Sequence, residues 1–490
     1  MSSSQFPASF VEPWKRLIQN RQDGCIDEFP QYNVTDLDSL ITTSAPTSLF
    51  LGTGYSIYRQ ALIPAILSAK HSVHLVTCFW AESPTLDAIG EALLSLANTR
   101  SQQNNLPPLR ITVGFSSWGL FQKLLHTAST DGCVYPPSEW PKLGLPTEAT
   151  LKRGSIDLTV KTLFFTPFSV MHPKYLIIDN TTAWVPSCNV SWEQWFEGCI
   201  ELHGDAVQTL LNFHTKVWGR GEVQETRAKD DAIVPLALGF NSQGAIDHEQ
   251  SQTASLIGDD GISAVQSAIL KFGDQVPTIL LPSSHHRNPR FKWIPGQPKC
   301  NLPPMTPLNA ALLTLFANAQ HWISIVTPNV TSRAVTDGLL AALGRGVDVE
   351  IRTSKNMMLM EQVVTAGTTT SWCLSSFIKQ YQSLALERQR AQQSDPESQL
   401  AVVGELRVFY YQPLAGKAGD EDEPVFSHFK MTLVDGEYVV LGSGNMDRAS
   451  WWTSQELGIL FYVPGFTENE LWERILKNRA EAVFISNNAH

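Results

Sequence analysis

No uninterrupted apolar run in the sequence approaches the ~18 residues that a membrane-spanning helix requires. The opening MSSSQFPASFVEPWKRLIQN likewise lacks the contiguous apolar stretch of a secretory signal. Positive charge is scarce: 36 Lys and Arg stand against 47 Asp and Glu, a net charge of −11. Proteins that coat nucleic acid carry basic tracks for the phosphates. This balance therefore disfavours that class, while leaving room for one local phosphate pocket. Cysteine occurs only as Cys25, Cys78, Cys133, Cys188, Cys199, Cys300 and Cys373, with no CxxC pair. An odd, scattered set argues against a disulfide framework and a four-ligand zinc site, and suits free thiols in a reducing compartment. The expectation is a soluble, cytoplasmic protein that could visit a membrane surface without being anchored there.

What is present is a globular composition, 43% hydrophobic and 17% charged, over 490 residues. That length exceeds one ordinary core. An order of elements occurs twice. YRQALIPAILSAK (Tyr58–Lys70) reads as a helix, VHLVTCFW as a strand, Ser83–Ala97 as a helix and LRITVGF as a strand. Later, LNAALLTLFANAQ, WISIVTP, VTDGLLAALGRG and VDVEIRT repeat the series. Such alternation predicts an α/β fold of two similar halves, each a largely parallel sheet covered by helices. The division expected is residues 1–223, a polar linker or surface excursion at 224–261, and residues 262–490. The acidic run LAGKAGDEDEPVF before His428 reads as a mobile, solvated loop.

Aligning the ends of the two halves brings out the chemistry. The first contains MHPKYLIIDNTTAWVPSCNVSWEQW and the second SHFKMTLVDGEYVVLGSGNMDRASWW. In each, Lys follows His by two positions and Asp follows it by seven. Ser and Asn then follow that Asp by eight and ten. The sets are His172, Lys174, Asp179, Ser187, Asn189 and His428, Lys430, Asp435, Ser443, Asn445. Shuffling this composition would yield about 0.02 His/Lys/Asp matches, so two extended matches are not coincidence.

On a strand, residues two apart share a face, so each His and Lys should point the same way. A returning strand, TAWVPS or YVVLGS, would carry Ser and Asn back beside them. Both copies could then present a nucleophile or acid, a cation and an amide donor at one cleft. Phosphoryl transfer needs that combination of proton transfer, charge stabilisation and oriented hydrogen bonds.

The duplicated HxKxxxxD pattern resembles that of the phospholipase D superfamily. First-half Pro186 departs from the Gly-Ser-x-Asn form seen at Gly442–Asn445, which bears on the local turn. The resemblance implies a pseudo-twofold fold with one shared active site at the interface, no metal or other cofactor, and a covalent phosphohistidine. It further implies His172 as nucleophile and His428 as the general acid and base, although near-symmetry allows the swap. Lys174, Lys430, Asn189 and Asn445 would hold the phosphoryl oxygens, with Ser187 and Ser443 in the same network. Asp179 and Asp435 would fix the strand and loop. Glu201 and Glu456, 29 and 28 residues after their histidines, resemble the acids that orient the imidazoles, with Glu197 competing in the first half.

The substrate expected is a phospholipid headgroup phosphodiester, with hydrolysis or transphosphatidylation, cardiolipin-synthase-like transfer included, as outcomes. Trp192, Trp195, Phe196, Trp451 and Trp452 follow the motifs and suit either an acyl or membrane contact or core packing. The alternative is a nuclease or nucleic-acid-end phosphodiesterase, which the acidic balance disfavours. A noncatalytic scaffold fits poorly with two intact motifs. The short basic stretch His285–Lys292 reads as a solvated loop, with a polar-headgroup or phosphate contact as the alternative, and two motifs in one chain make an oligomer unnecessary.

Overall fold

A computed structural model describes residues 5–20, 28–29, 36–103, 106–118, 132–165, 169–219, 264–269, 275–283, 285–286, 303–394, 402–420, 422–466 and 475–486. The predicted elements form. Strands Ser72–Phe79 and Leu109–Ser117 flank helix Pro84–Ser101, and strands Trp322–Val326 and Asp348–Thr353 flank helix Arg333–Gly344. Helix starts carry their own signals. Ser83 and Thr306 each precede a proline and accept the backbone N–H three residues on, as N-cap side chains do.

The strand order explains how two motifs can meet. Strands Ser72–Phe79, Leu109–Ser117 and Ile156–Thr162 run parallel. Ser72–Phe79 continues antiparallel into motif strand Tyr175–Ile178, then Thr182–Pro186, Trp195–His203 and the long strand Ile41–Gly52. The same order occurs again. Strands Leu406–Tyr411, Asp348–Thr353 and Trp322–Val326 run parallel. They lead antiparallel through motif strand Met431–Val434 to Tyr438–Gly442, Glu456–Tyr462 and Val276–Ser283. Ile41–Gly52 and Val276–Ser283 then pair with each other, Ile41 opposite Ile279 and Ser44 opposite Val276. One large mixed sheet results, with helices packed on it. The expected linker at 224–261 lies outside the described residues, as does most of His285–Lys292.

The motif strands are covered on both faces: Tyr175–Ile178 and Met431–Val434 are buried throughout, as strands between helical layers must be. Tyr175 and Ile177 join a core shared with Phe213 and Val217 of helix Asp205–Trp218, whereas Leu176 and Ile178 join one with Ile89 and Leu93 of helix Pro84–Ser101. Among the described residues, no helix is long and apolar enough to cross a membrane.

The acidic loop before His428 departs from expectation. Glu423 is buried and forks onto the Arg479 guanidinium, with both contacts at 2.8 Å, and it also accepts the Leu414 N–H at 2.7 Å. Val425 N–H donates to the Gln194 carbonyl, and Phe426 and Ser427 pair in parallel with Trp195 and Phe196. A paired buried carboxylate therefore fastens the end of this loop at the approach to the second motif. The fork also compensates both charges for lost hydration.

Candidate active site

Each histidine and lysine stands just before its motif strand rather than within it: the strands begin at Tyr175 and Met431. The reason is that the other copy holds the backbone here. His172 N–H donates to the Gln455 carbonyl at 3.0 Å, and His428 N–H to the Phe196 carbonyl at 2.9 Å. Both motif starts lie at the C-terminal ends of the parallel strands, since Tyr175 pairs with Val76 and Met431 with Val326. Open α/β sheets bind ligands at that edge.

The side chains cross between copies as well. His172 Nδ1 lies 2.7 Å from Glu456 Oε2 of the second copy, and His428 Nδ1 lies 2.7 Å from Glu197 Oε1 of the first. Each carboxylate also takes a hydroxyl from its own copy: Ser443 donates to Glu456 at 2.5 Å and Ser187 donates to Glu197. Those hydroxyls in turn accept the Leu457 and Gly198 N–H groups, both at 3.0 Å. The Ser187 N–H bonds the Gly198 carbonyl and the Ser443 N–H the Leu457 carbonyl. Pro186 thus leaves the turn equivalent to the one that follows Gly442.

The acid opposite His428 is therefore Glu197, and the expectation for Glu201 is corrected. Glu201 bonds His203 Nε2 at 3.2 Å and sits four residues further along the strand, about 13 Å from Glu197 at ~3.3 Å per residue. Helix Arg448–Trp452 lengthens the second copy between Asn445 and Glu456, so the distance from histidine to acid is 197 − 172 = 25 in one copy and 456 − 428 = 28 in the other. Matching spacings selected the wrong glutamate. A better signal was the acid opening the apolar run after each Asn, as in EGCI and ELGIL.

Lys174 and Lys430 are buried, each donating its ammonium to the carbonyl of the histidine two residues earlier. Burial lowers the His172 pKa, against the opposing pull of Glu456, and lowers that of His428 to about 3, against Glu197. Lys174 and Lys430 both add to the depression of each. Burial also brings Lys430 down to about 7. For Glu197 and Glu456, burial works upward, but the facing histidine and serine hold both below the usual carboxylate range. Both pairs therefore rest as carboxylate and neutral imidazole, with Nδ1–H donating and the Nε2 lone pair at the opposite edge of the ring.

Asn189 is half-buried and accepts the Phe79 N–H at 3.2 Å through Oδ1. Asn445 donates to Asp447 at 3.1 Å, and its own Oδ1 is buried without a partner among the described residues. Gln455, not anticipated from the sequence, is fully buried with neither side-chain amide atom paired among the described residues, and its backbone holds both His172 and Val170. Asp179 and Asp435 lie at the far ends of the motif strands. Asp179 accepts the Lys70, His71 and Ser72 N–H groups, and Asp435 those of Gln320, His321 and Trp322. Each clamps the start of the neighbouring parallel strand, away from the histidines. Of the aromatics, Phe196 and Trp451 are core, Trp195 packs on the His428 ring at 4.8 Å, Trp452 lies under Arg448, and Trp192 is exposed.

Residues 312–478 match the family model described as "Cardiolipin synthase, PLD-like domain". No curated protein matches the chain in sequence. Among solved structures, the phosphatidylserine synthase of Haemophilus influenzae Rd KW20 is similar over 92% of this chain and 90% of its own, with a TM-score of 0.53 and 14% identity. Polyphosphate kinase from Porphyromonas gingivalis is similar over 87% of this chain and 46% of its own, at 9% identity and a TM-score of 0.41, below that of a shared fold. The region around the second motif is thus similar to a PLD-like domain, and the fold of the whole chain is similar to that of the solved phosphatidylserine synthase.

Proposed function

We propose that the protein is a phosphodiesterase of the phospholipase D type that transfers the phosphatidyl group of a phospholipid, through a phosphohistidine, to water or an alcohol. The observation that carries this proposal is the crossed arrangement, in which each imidazole is oriented by the carboxylate of the other copy. Local charge supports it. Lys174 and Lys430 are buried together with the carboxyl groups of Glu197, Glu456 and Asp447. A bound phosphodiester adds one negative charge, which favours uptake of one proton by a histidine and keeps Lys430 protonated.

The two histidines then divide the work. The His172 side chain is 13% exposed and that of His428 3%, so His172 is the better placed to reach phosphorus. Its Nε2 lone pair attacks and the phosphorus–oxygen bond to the headgroup breaks, with His428 giving its proton to the departing alcohol. His428 next takes a proton from water or an acceptor alcohol, whose oxygen displaces His172. The lysines and asparagines face the non-bridging oxygens as their charge grows. Cardiolipin-synthase-like transfer is the alcohol-acceptor case, and the name of the matched family model supports a lipid substrate.

The test is turnover of phosphatidylcholine or phosphatidylglycerol vesicles in excess chelator with added ethanol. Phosphatidic acid or phosphatidylethanol should form with wild type and be lost in His172→Ala and in His428→Ala. Cleavage of single-stranded oligonucleotides with intact lipid would assign the site to nucleic acid instead.

A further inference from the structure

Helix Leu359–Ala366 is built inside out. A helix at a protein surface normally buries its apolar side chains and shows its polar ones to water. This one buries Gln362 and exposes Leu359, Met360, Val363 and Val364, Met360 to 80%. The burial of Gln362 is specific. Its amide donates to Asn329 Oδ1 at 2.9 Å and to the Met357 carbonyl at 2.5 Å, and it accepts from the Thr370 N–H at 2.6 Å and hydroxyl at 3.0 Å. With every polar function of that side chain engaged, the helix is held with its aliphatic face outward. Trp372, in the first turn of the next helix, Thr370–Ser394, is 75% exposed beside it. From Asn356 to Ile378 the only charged residue is Glu361.

The position of this face matters as much as its polarity. The chain reaches it from the C-terminal end of strand Asp348–Thr353, where Ser354 Oγ bonds the Ser427 carbonyl, one residue before His428. Thr370 also accepts the Val330 N–H, and Val330 bridges to Met446, next to Asn445. At the corresponding strand ends of the first copy, Trp118 follows Leu109–Ser117, and Trp192 stands three residues beyond Asn189 with its ring against Phe79. Both tryptophans are exposed. Exposed apolar side chains thus rim the edge of the sheet that carries both histidines.

We propose that helix Leu359–Ala366, together with Trp372 and Trp192, docks the protein on a lipid bilayer so that the site opens toward the headgroups. The proposal rests on the phospholipid reading of the site. A bilayer suits the surface because it accepts aliphatic side chains without paired polar groups and admits tryptophan at the headgroup level. It also delivers the substrate at the same edge, which a protein seated there would cover.

The test compares wild type with the triple variant Met360→Ser, Val363→Ser, Val364→Ser and with Trp372→Ser. Each is assayed for cosedimentation with phosphatidylcholine and phosphatidylglycerol vesicles, for vesicle turnover, and for turnover of a soluble p-nitrophenyl phosphodiester. The expected result is a loss of vesicle binding and vesicle turnover of about tenfold or more in the triple variant, with soluble turnover and melting temperature unchanged. Wild type that fails to bind vesicles, or a triple variant that binds as well as wild type, would overturn docking. So would a wild-type dimer that the triple variant dissociates, since a second copy would then cover the face. Phosphohistidine formation from the soluble diester reports on the catalytic reading alone, so either idea can fail without the other.

Discussion

Replacing Glu197 by glutamine changes one oxygen to an amide at the point where the copies cross. Glu197 and His428 are each about 3% exposed at the side chain and meet at 2.7 Å. Charge-assisted hydrogen bonds are worth about 1.5–3 kcal/mol, which alone slows a step that depends on them by ~10–100-fold. A second effect adds to this. The amide can donate to Nδ1 and drive the ring proton to Nε2, the wrong tautomer for accepting a proton there. The comparable aspartate-to-asparagine change in a serine protease triad costs ~10⁴. We expect kcat to fall by ~10²–10⁴ with KM nearly unchanged. Glu201→Gln, on a partly exposed pair with His203, should leave kcat within about twofold. Steady-state turnover of the soluble diester, with melting curves as a folding control, makes the comparison. Full activity in Glu197→Gln, or collapse in Glu201→Gln, would refute the crossed assignment.

Other perturbations have equally definite outcomes. His428 titrates near 3 when folded and near 6.5 when unfolded, and Glu197 and Glu456 are also depressed. The unfolded chain therefore binds more protons as pH falls from 6.5 toward 3, and stability should drop across that window. Melting temperature against pH checks this, with a shallower slope expected for His428→Gln. Lys430, near 7 in the folded free protein, should lose its charge as pH rises through that value, so kcat/KM should decline above it. Asp179→Ala removes the acceptor of three backbone N–H groups and should cost about 1–3 kcal/mol of stability. Activity per folded molecule should survive within a few-fold, as urea melts and kinetics would show. Arg479→Ala strands buried Glu423 and should cost about 3–5 kcal/mol, measurable by the same melts.

The repeated helix–strand series was legible because apolar periodicity determines which faces can be buried. The motif was legible because a two-residue and seven-residue spacing was kept in both copies. What stayed hidden depended on contacts distant in sequence. Nothing in the spacing of His172 shows that its acid lies 284 residues away, and a five-residue helix in one copy misaligned the other glutamate. Gln455 is an ordinary glutamine until strand pairing sets its backbone beside His172. The loop before His428 reads as solvated because its partner, Arg479, arrives from the far end of the chain. The inverted polarity of Leu359–Ala366 could not be read from periodicity, which shows an apolar face but not whether it points in or out.

The most direct test of the central claim is to find the covalent intermediate. In His428→Ala, a p-nitrophenyl phosphodiester needs no acid to expel its leaving group, yet water loses its general base. Rapid quenching at alkaline pH followed by peptide mass spectrometry should find an acid-labile phosphoryl adduct on His172, accumulating to near one per chain. An adduct on His428 in the converse variant alone would exchange the two roles. No adduct on either histidine, with turnover intact, would contradict the account.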